Sequence, residues 1–411
     1  MAASISPYSS SGADMMFLFC LRKKQKIREN AVIKIDGYHE IDSEMDSAFS
    51  ALYAGFLTDP IADIDTLVAR YFPAFEEAAT AYYTRHPITN PVQEHFINNL
   101  TPIWNTLRSI NRLGPAQRFW EHVLSLIRNL ESHFQTRIHK GSIYYYWGGT
   151  AILNGEIEKG YSLMHSALIE DTETNKSPQP NTPAYRFVFL DYNDSRQHFL
   201  DLLSAQGRIL ESFLPHYAKL SASNLDGANF RNNFLAAHPR PEAILLLAYT
   251  VARLEKQLQN PPSAPDHAFA GILDFNMLFD LVLVIDSSIQ AKSKVGWQFF
   301  DLARHLSEQA GLDLSQLRLE HINSERKRPG NFANVVIALL NGSFPMPDGG
   351  QLSPLATDIA IAFCIRNHAA HNIVAQSLVP TYTRQLMQSL FNTLFLTADT
   401  FYKNASQHSV H

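Results

Sequence analysis

Near the C-terminal end of this 411-residue chain, Arg366-Asn-His-Ala-Ala-His371-Asn372 puts a cation, two amides and two imidazoles into seven positions. Arginine offers a fixed fork of donors that matches phosphate oxygens. Histidine accepts and returns a proton near neutral pH. Together these residue types suit proton transfer at an anionic substrate. The segment just before them, Ile359-Ala-Ile-Ala-Phe-Cys-Ile365, has no polar side chain. Such a run is buried on all sides, so the groups at its end must meet water in a cleft or find partners.

The helix that carries them has clear signals. Ser353 suits the N-cap and Pro354 the first helical position, where a missing N–H costs nothing. Asp358 lies near the positive end of the helix dipole. At 100° per residue, Leu355, Ile359, Ala362, Arg366, Ala369 and Ile373 make one stripe. Arg366 therefore lies on an apolar line, where an unpaired guanidinium is costly. Asn367 and His371 are one turn apart on a second face, and His368 and His371 are neighbours. Two histidines at that spacing can bind zinc, but no third ligand accompanies them, so no metal is expected.

With these residues in place, the C-terminal part, roughly 267–405, resembles the HEPN family of all-helical ribonuclease and nucleotide-binding domains. The family motif is Arg, four to six residues, then His, often with a polar residue after the Arg; here it reads Arg366-Asn367-His-Ala-Ala-His371. The resemblance implies metal-independent cleavage of RNA by attack of the 2′-hydroxyl, leaving a 2′,3′-cyclic phosphate, in a protein of toxin or antiviral-defence type. It implies no cofactor, and a homodimer that brings two copies of the motif together. His371 is then the general base or acid, Arg366 the phosphate anchor, and Asn367 the group that orients His371 or holds a phosphate oxygen. His368 is an auxiliary proton-transfer candidate or a surface histidine. The branch paired with a nucleotidyltransferase antitoxin has a tyrosine two residues after the motif His; Ile373 stands there, so that regulation is not expected. The bare pattern also fits Arg128–His133, in a helix rich in exposed charge, and Arg231–His238, read as a loop beside Pro239. Both are judged accidental. Two readings compete with the ribonuclease: a non-catalytic protein that uses a degenerate domain for dimerisation, and a nucleotide-binding module that uses Arg366 without turnover.

The rest of the chain reads as all-α. Helical periodicity runs through nearly everything after Ser43, and strand-like text is confined to Val32–Ile35 and Phe187–Leu190. Residues 1–42 are expected to be poorly ordered, 43–260 to form a helical array, and 267–405 the HEPN-like bundle. The breaks are Thr174–Pro183, a loop, and Asn260-Pro-Pro-Ser-Ala-Pro-Asp266, a linker, because proline removes donors and pins φ. Within the array, Tyr144 to Ala167 resembles a tetratricopeptide repeat: Gly148, Ala151, Gly160 and Ala167 are small where two helices must approach, and Gly155 fits the turn. Such hairpins stack into concave surfaces that bind partners, so the array is expected to take a protein partner or trigger, or to buttress the bundle.

Composition sets the limits. The chain is 45% hydrophobic and 18% charged with a net charge of −5. Nothing in that balance draws it toward nucleic acid or an anionic membrane. RNA contact would need a local patch, and Arg326-Lys327-Arg328 before Pro329-Gly330 is the candidate, read as a loop that tracks a phosphate backbone. Trp297, Phe299 and Phe300 fall at core spacing and read as packing. Cys20 and Cys364 are far apart and form no disulfide framework, which suits a reducing compartment. No run approaches a membrane span, and Met15–Leu21 precedes its basic cluster, the reverse of a secretory signal. A cytoplasmic protein is expected. No nucleotide-binding glycine loop and no HExxH motif are present, which argues against NTP-driven motors, dinucleotide enzymes and common zinc hydrolases.

Overall fold

The computed structural model describes residues 41–87, 97–176, 181–191, 198–259, 268–296, 298–369 and 378–403. Every element among them is helical and no strand occurs. The strand-like Val32–Ile35, the proline-rich boundary at 260–266 and Trp297 lie outside the described residues. No helix among the described residues is long and apolar enough to cross a membrane.

The chain opens with α1 (Ser43–Thr58) and α2 (Ile64–Arg85). Both begin on an aspartate cap: Met45 N donates to Asp42 at 3.0 Å and Thr66 N to Asp63 at 2.9 Å, which satisfies otherwise orphaned amides. Next come α3 (Ile97–Ser109), α4 (Leu113–Phe134), α5 (Gly141–Leu153) and α6 (Ile157–Asn175). Their core is aromatic. Trp104 and Trp120 are fully buried, Tyr146 stacks on Trp120 at 5.3 Å, and Trp104 Nε1 donates to Thr150 Oγ1 at 2.8 Å. That bond lets an indole be buried without stranding its N–H.

The α5–α6 pair is a tight helical hairpin, as the small residues require. A methyl group at Gly160 would meet Ile152 Cγ1 at 2.3 Å and the Gly148 carbonyl oxygen at 2.8 Å. Gly155 turns the chain at φ +82°, a conformation that costs glycine little. Buried charge clamps the hairpin to α4. Lys140 reaches Glu131 at 2.6 Å and Glu170 at 3.1 Å, and His139 Nε2 lies 2.8 Å from Asp171.

A short α7 (Pro183–Val188) follows, capped by Thr182 with Pro183 in the first turn. This corrects the strand reading of Phe187–Leu190: Phe187 and Val188 end the helix, and Phe189 and Leu190 form a turn. All four are buried. A four-residue apolar run says only that it is buried; it does not set the backbone period. Then come α8 (Leu200–Ser212), α9 (Leu214–Ser221), α10 (Gly227–Asn229, continuing as a π-helical segment Phe230–Leu235) and α11 (Pro241–Gln259).

The C-terminal bundle comprises α12 (Ala268–Lys292), α13 (Phe299–Gln309), α14 (Gln316–Lys327), α15 (Phe332–Leu340), α16 (Pro354–Ala369) and α17 (Leu378–Phe401). At its centre is α16, which touches α9, α12, α13, α14, α15 and α17. Every residue from Ile359 to Ile365 is at most 1% exposed, as expected of a run apolar on all faces. Phe299 is buried and stacks on Phe363, and Phe300 meets the same ring edge-on, so both serve packing.

Helices on the two sides of residues 260–266 share one core. Phe213 stacks on Phe391 with centroids 4.3 Å apart, Phe230 meets Phe395 edge-on at 5.1 Å, and Tyr217 donates to Asp399 at 3.1 Å. His238 and Tyr402 both bond to Ser288 on α12. A fragment starting at residue 267 would uncover all of these aromatic faces. We therefore expect residues 267–411 expressed alone to be insoluble or to lack a cooperative thermal transition; a soluble fragment that unfolds cooperatively would show that α8 to α11 are dispensable.

Candidate functional site

Arg366 sits in the last turn of α16, one residue past the dry run. Its position on the apolar stripe demands a counter-charge, and α12 supplies one. Arg366 Nη2 lies 3.5 Å from Asp286 Oδ2, with the arginine side chain 29% exposed and the aspartate 7%. Gln290, one turn on, donates to the other carboxylate oxygen. Burial pushes the Asp286 carboxyl above its ordinary range, while the Arg366 charge and the Gln290 bond work in the opposite direction. The ion pair is single-pronged. Arg366 Nε has no hydrogen-bond partner among the described residues. That Nε is buried, so the donors left for an incoming anion are those of the terminal nitrogens, on a side chain 29% exposed.

Asp286 did not stand out in the sequence, though a signal was there. It ends the apolar run Leu281-Val-Leu-Val-Ile285 on α12, just as Arg366 ends the run of α16, while Asp280 at the other end is paired with Arg253. Two opposite charges, each stranded in apolar text on a different helix, are candidates for each other.

Asn367 is half-buried on the adjoining face. The partner proposed for it, His371, lies outside the described residues, as does Ile373. His368 is no surface histidine. Its ring is stacked on Phe332 with centroids 3.7 Å apart and is met edge-on by Phe275 at 6.0 Å. Burial pulls its pKa below the ordinary value, and the nearby Arg326 charge adds to this. Its Nε2 has no hydrogen-bond partner among the described residues. The ring is a neutral packing element at neutral pH.

The basic triplet is not a loop that follows a phosphate backbone. Arg326 and Lys327 form the last turn of α14, and Arg328 is its C-cap. Arg326 turns inward: Nη2 donates to Asn323 at 2.8 Å and Nε is buried. Arg328 pairs with Glu325 at 2.7 Å. Only Lys327 is left as an exposed charge without a described counter-ion. A helical period here sends neighbouring side chains to different faces, whereas an extended tract would have displayed them together.

The two competing Arg–His matches are separated by geometry. Arg128 is on α4 beside exposed His133, with buried Leu130 between them. Arg231 corrects the loop reading, whereas His238 does lie in the connection before α11. Arg231 lies in the π-helical segment and pairs with Glu211 at 2.6 Å. His238 is buried: Ser288 Oγ donates to the Val284 carbonyl, so it must accept from His238 Nε2–H at 3.1 Å, while Nδ1 accepts from Arg240 N. Burial depresses its pKa to about 4. Local backbone hydrogen bonds and tertiary contacts consume both groups.

The depressed histidines make a pH prediction. Below their unfolded value of about 6.5, the unfolded chain binds protons that His238 and His368 refuse in the folded state, so stability is lost as pH falls. Each contributes a slope of up to ~1.4 kcal/mol per pH unit. Urea unfolding at pH 7 and pH 5.5 should show a smaller loss for His368→Phe than for the parent; an equal loss would mean that His368 is protonated in the folded state. In comparisons with known proteins, no family model matches this chain, and neither a curated protein nor a solved structure matches it.

Proposed function

We propose that the C-terminal bundle is a metal-independent RNA endonuclease of toxin or antiviral-defence type, and that Arg366, Asn367 and His371 carry the reaction. The observation that supports this best is the state of Arg366: a cation at the end of a rigid, dry helix, held through one nitrogen by Asp286 and partly open to solvent. Such a group is positioned at little entropic cost and can still meet a phosphate. The 2′-hydroxyl oxygen attacks the adjacent phosphorus, giving up its proton to a base as the bond from phosphorus to the 5′ oxygen breaks. That oxygen takes a proton from an acid. The products are a 2′,3′-cyclic phosphate and a 5′-hydroxyl.

One motif offers one histidine for two proton transfers. Since His368 is enclosed by phenylalanines, the second group comes from another copy of the chain, and the active form is a homodimer with the ends of two α16 helices near the axis. The N-terminal helices, with their tetratricopeptide-like hairpin, both buttress the bundle and offer a surface for a protein partner or trigger.

A second reading has its own support. Asp286 already neutralises Arg366, and Arg326 and Arg328 are engaged within the protein, which suits a non-catalytic helical interaction protein. Labelled RNA incubated with the full chain in EDTA separates the two. The endonuclease reading expects cyclic-phosphate ends, a loss of roughly 10²-fold or more in Arg366→Ala and His371→Ala, a smaller loss in Asn367→Ala, and unchanged rates in Arg128→Ala and His133→Ala. No cleavage by the parent, or full cleavage by His371→Ala, would favour the interaction protein.

A further inference from the structure

The first turns of α16, at the end opposite Arg366, border a cleft of about 730 Å³ formed with α9, α15 and α17. That volume falls within the range that holds small organic ligands. Leu220, Leu339, Leu352 and Ile361 supply apolar wall. At the polar side lies Asp358, a carboxyl 7% exposed on a helix otherwise packed with hydrocarbon. Asn392 Nδ2 donates to its Oδ2 at 2.8 Å, and Ser389 also bonds to it. No cation balances it among the described residues, and burial raises its pKa to about 7.

The orientation of this polar group can be deduced. The Phe213 carbonyl only accepts, so Gln388 must present its amide nitrogen there, at 3.1 Å. The same nitrogen donates to Asn392 Oδ1 at 2.9 Å. Asn392 therefore turns its NH₂ toward Asp358 and toward His216 Nδ1, which lies 3.1 Å away and must accept. The chain of bonds leaves Asp358 as the group with unused acceptor capacity: a carboxylate can take about four hydrogen bonds, and two are made. Arg384, one to two turns before Ser389 and Asn392 on α17, is exposed at the border of the same cleft with no ion pair among the described residues. Eight residues of helix separate Arg384 from Asn392, about 12 Å along the axis.

A cleft with one apolar wall, a carboxyl acceptor at Asp358 and an exposed guanidinium about two helical turns along α17 complements a flat heterocycle with adjacent N–H donors and an acidic group at its far end. We propose that this cleft binds a purine nucleotide of the guanine type, with the N1–H and N2–H edge on Asp358 and the phosphate on Arg384. Guanine offers two parallel donors to one carboxylate; adenine offers a donor beside an acceptor and cannot do so. The site is separate from Arg366 and does not rest on the ribonuclease reading.

Calorimetric titration of the full chain with 5′-GMP tests it. Saturable one-site binding is expected, with 5′-AMP at least about tenfold weaker, since one charge-assisted hydrogen bond is lost. Asp358→Asn keeps the shape and Arg384→Ala changes an exposed group; each should weaken GMP by at least about tenfold, with helical content by circular dichroism unchanged. Arg366→Ala should bind GMP as the parent does. Absence of saturable binding, equal affinity for GMP and AMP, or GMP binding that survives both cleft substitutions would each overturn the proposal.

Discussion

The structure depends on one constraint: α16 cannot touch water along its middle. Seven consecutive apolar residues leave no solvent face, so other helices must cover every side, and α9, α12, α13, α14, α15 and α17 do so. The polar groups at its two ends then become fixed points. Asp358 in the second turn is met by Asn392 and Ser389, and Arg366 in the last turn by Asp286. Each charge is tolerated because a partner reaches it from a different helix, which ties α16 to α17 at one end and to α12 at the other.

The same constraint joins the helices before residue 260 to the bundle after it. Part of the cover for α17 comes from before residue 260, through Phe213 at the start of α9, Tyr217 on α9 and Phe230 in the π-helical segment. A proline-rich segment in the sequence is a statement about local backbone; whether the flanking helices share a core is decided by their faces. Those faces are long-range facts.

What could be read in the sequence follows this division. The all-helical class, the Ser353–Pro354 start of α16, the burial of Ile359–Ile365 and the close approach at Gly148 and Gly160 all rest on local period or residue size, and the structure has them. The need of Arg366 for a partner was legible; the partner was not, since Asp286 and Arg366 are 80 positions apart. His368 looked free because its neighbour in sequence is an amide and its neighbours in space are Phe275 and Phe332. Arg326 to Arg328 looked like a patch because three adjacent charges stand together only along the chain; around a helix they diverge.

Whether Asp286 sets the position of Arg366 is the claim on which the site stands, and a double-mutant cycle of urea unfolding with Arg366→Ala, Asp286→Ala and the pair tests it directly. The account predicts that Arg366→Ala alone destabilises by about 1–3 kcal/mol, by leaving a buried carboxylate unpaired. Removing Asp286 as well should recover part of that loss, with a coupling of about 1 kcal/mol or more. Losses that add with no coupling would contradict it, and would mean that the two side chains do not hold one another in solution.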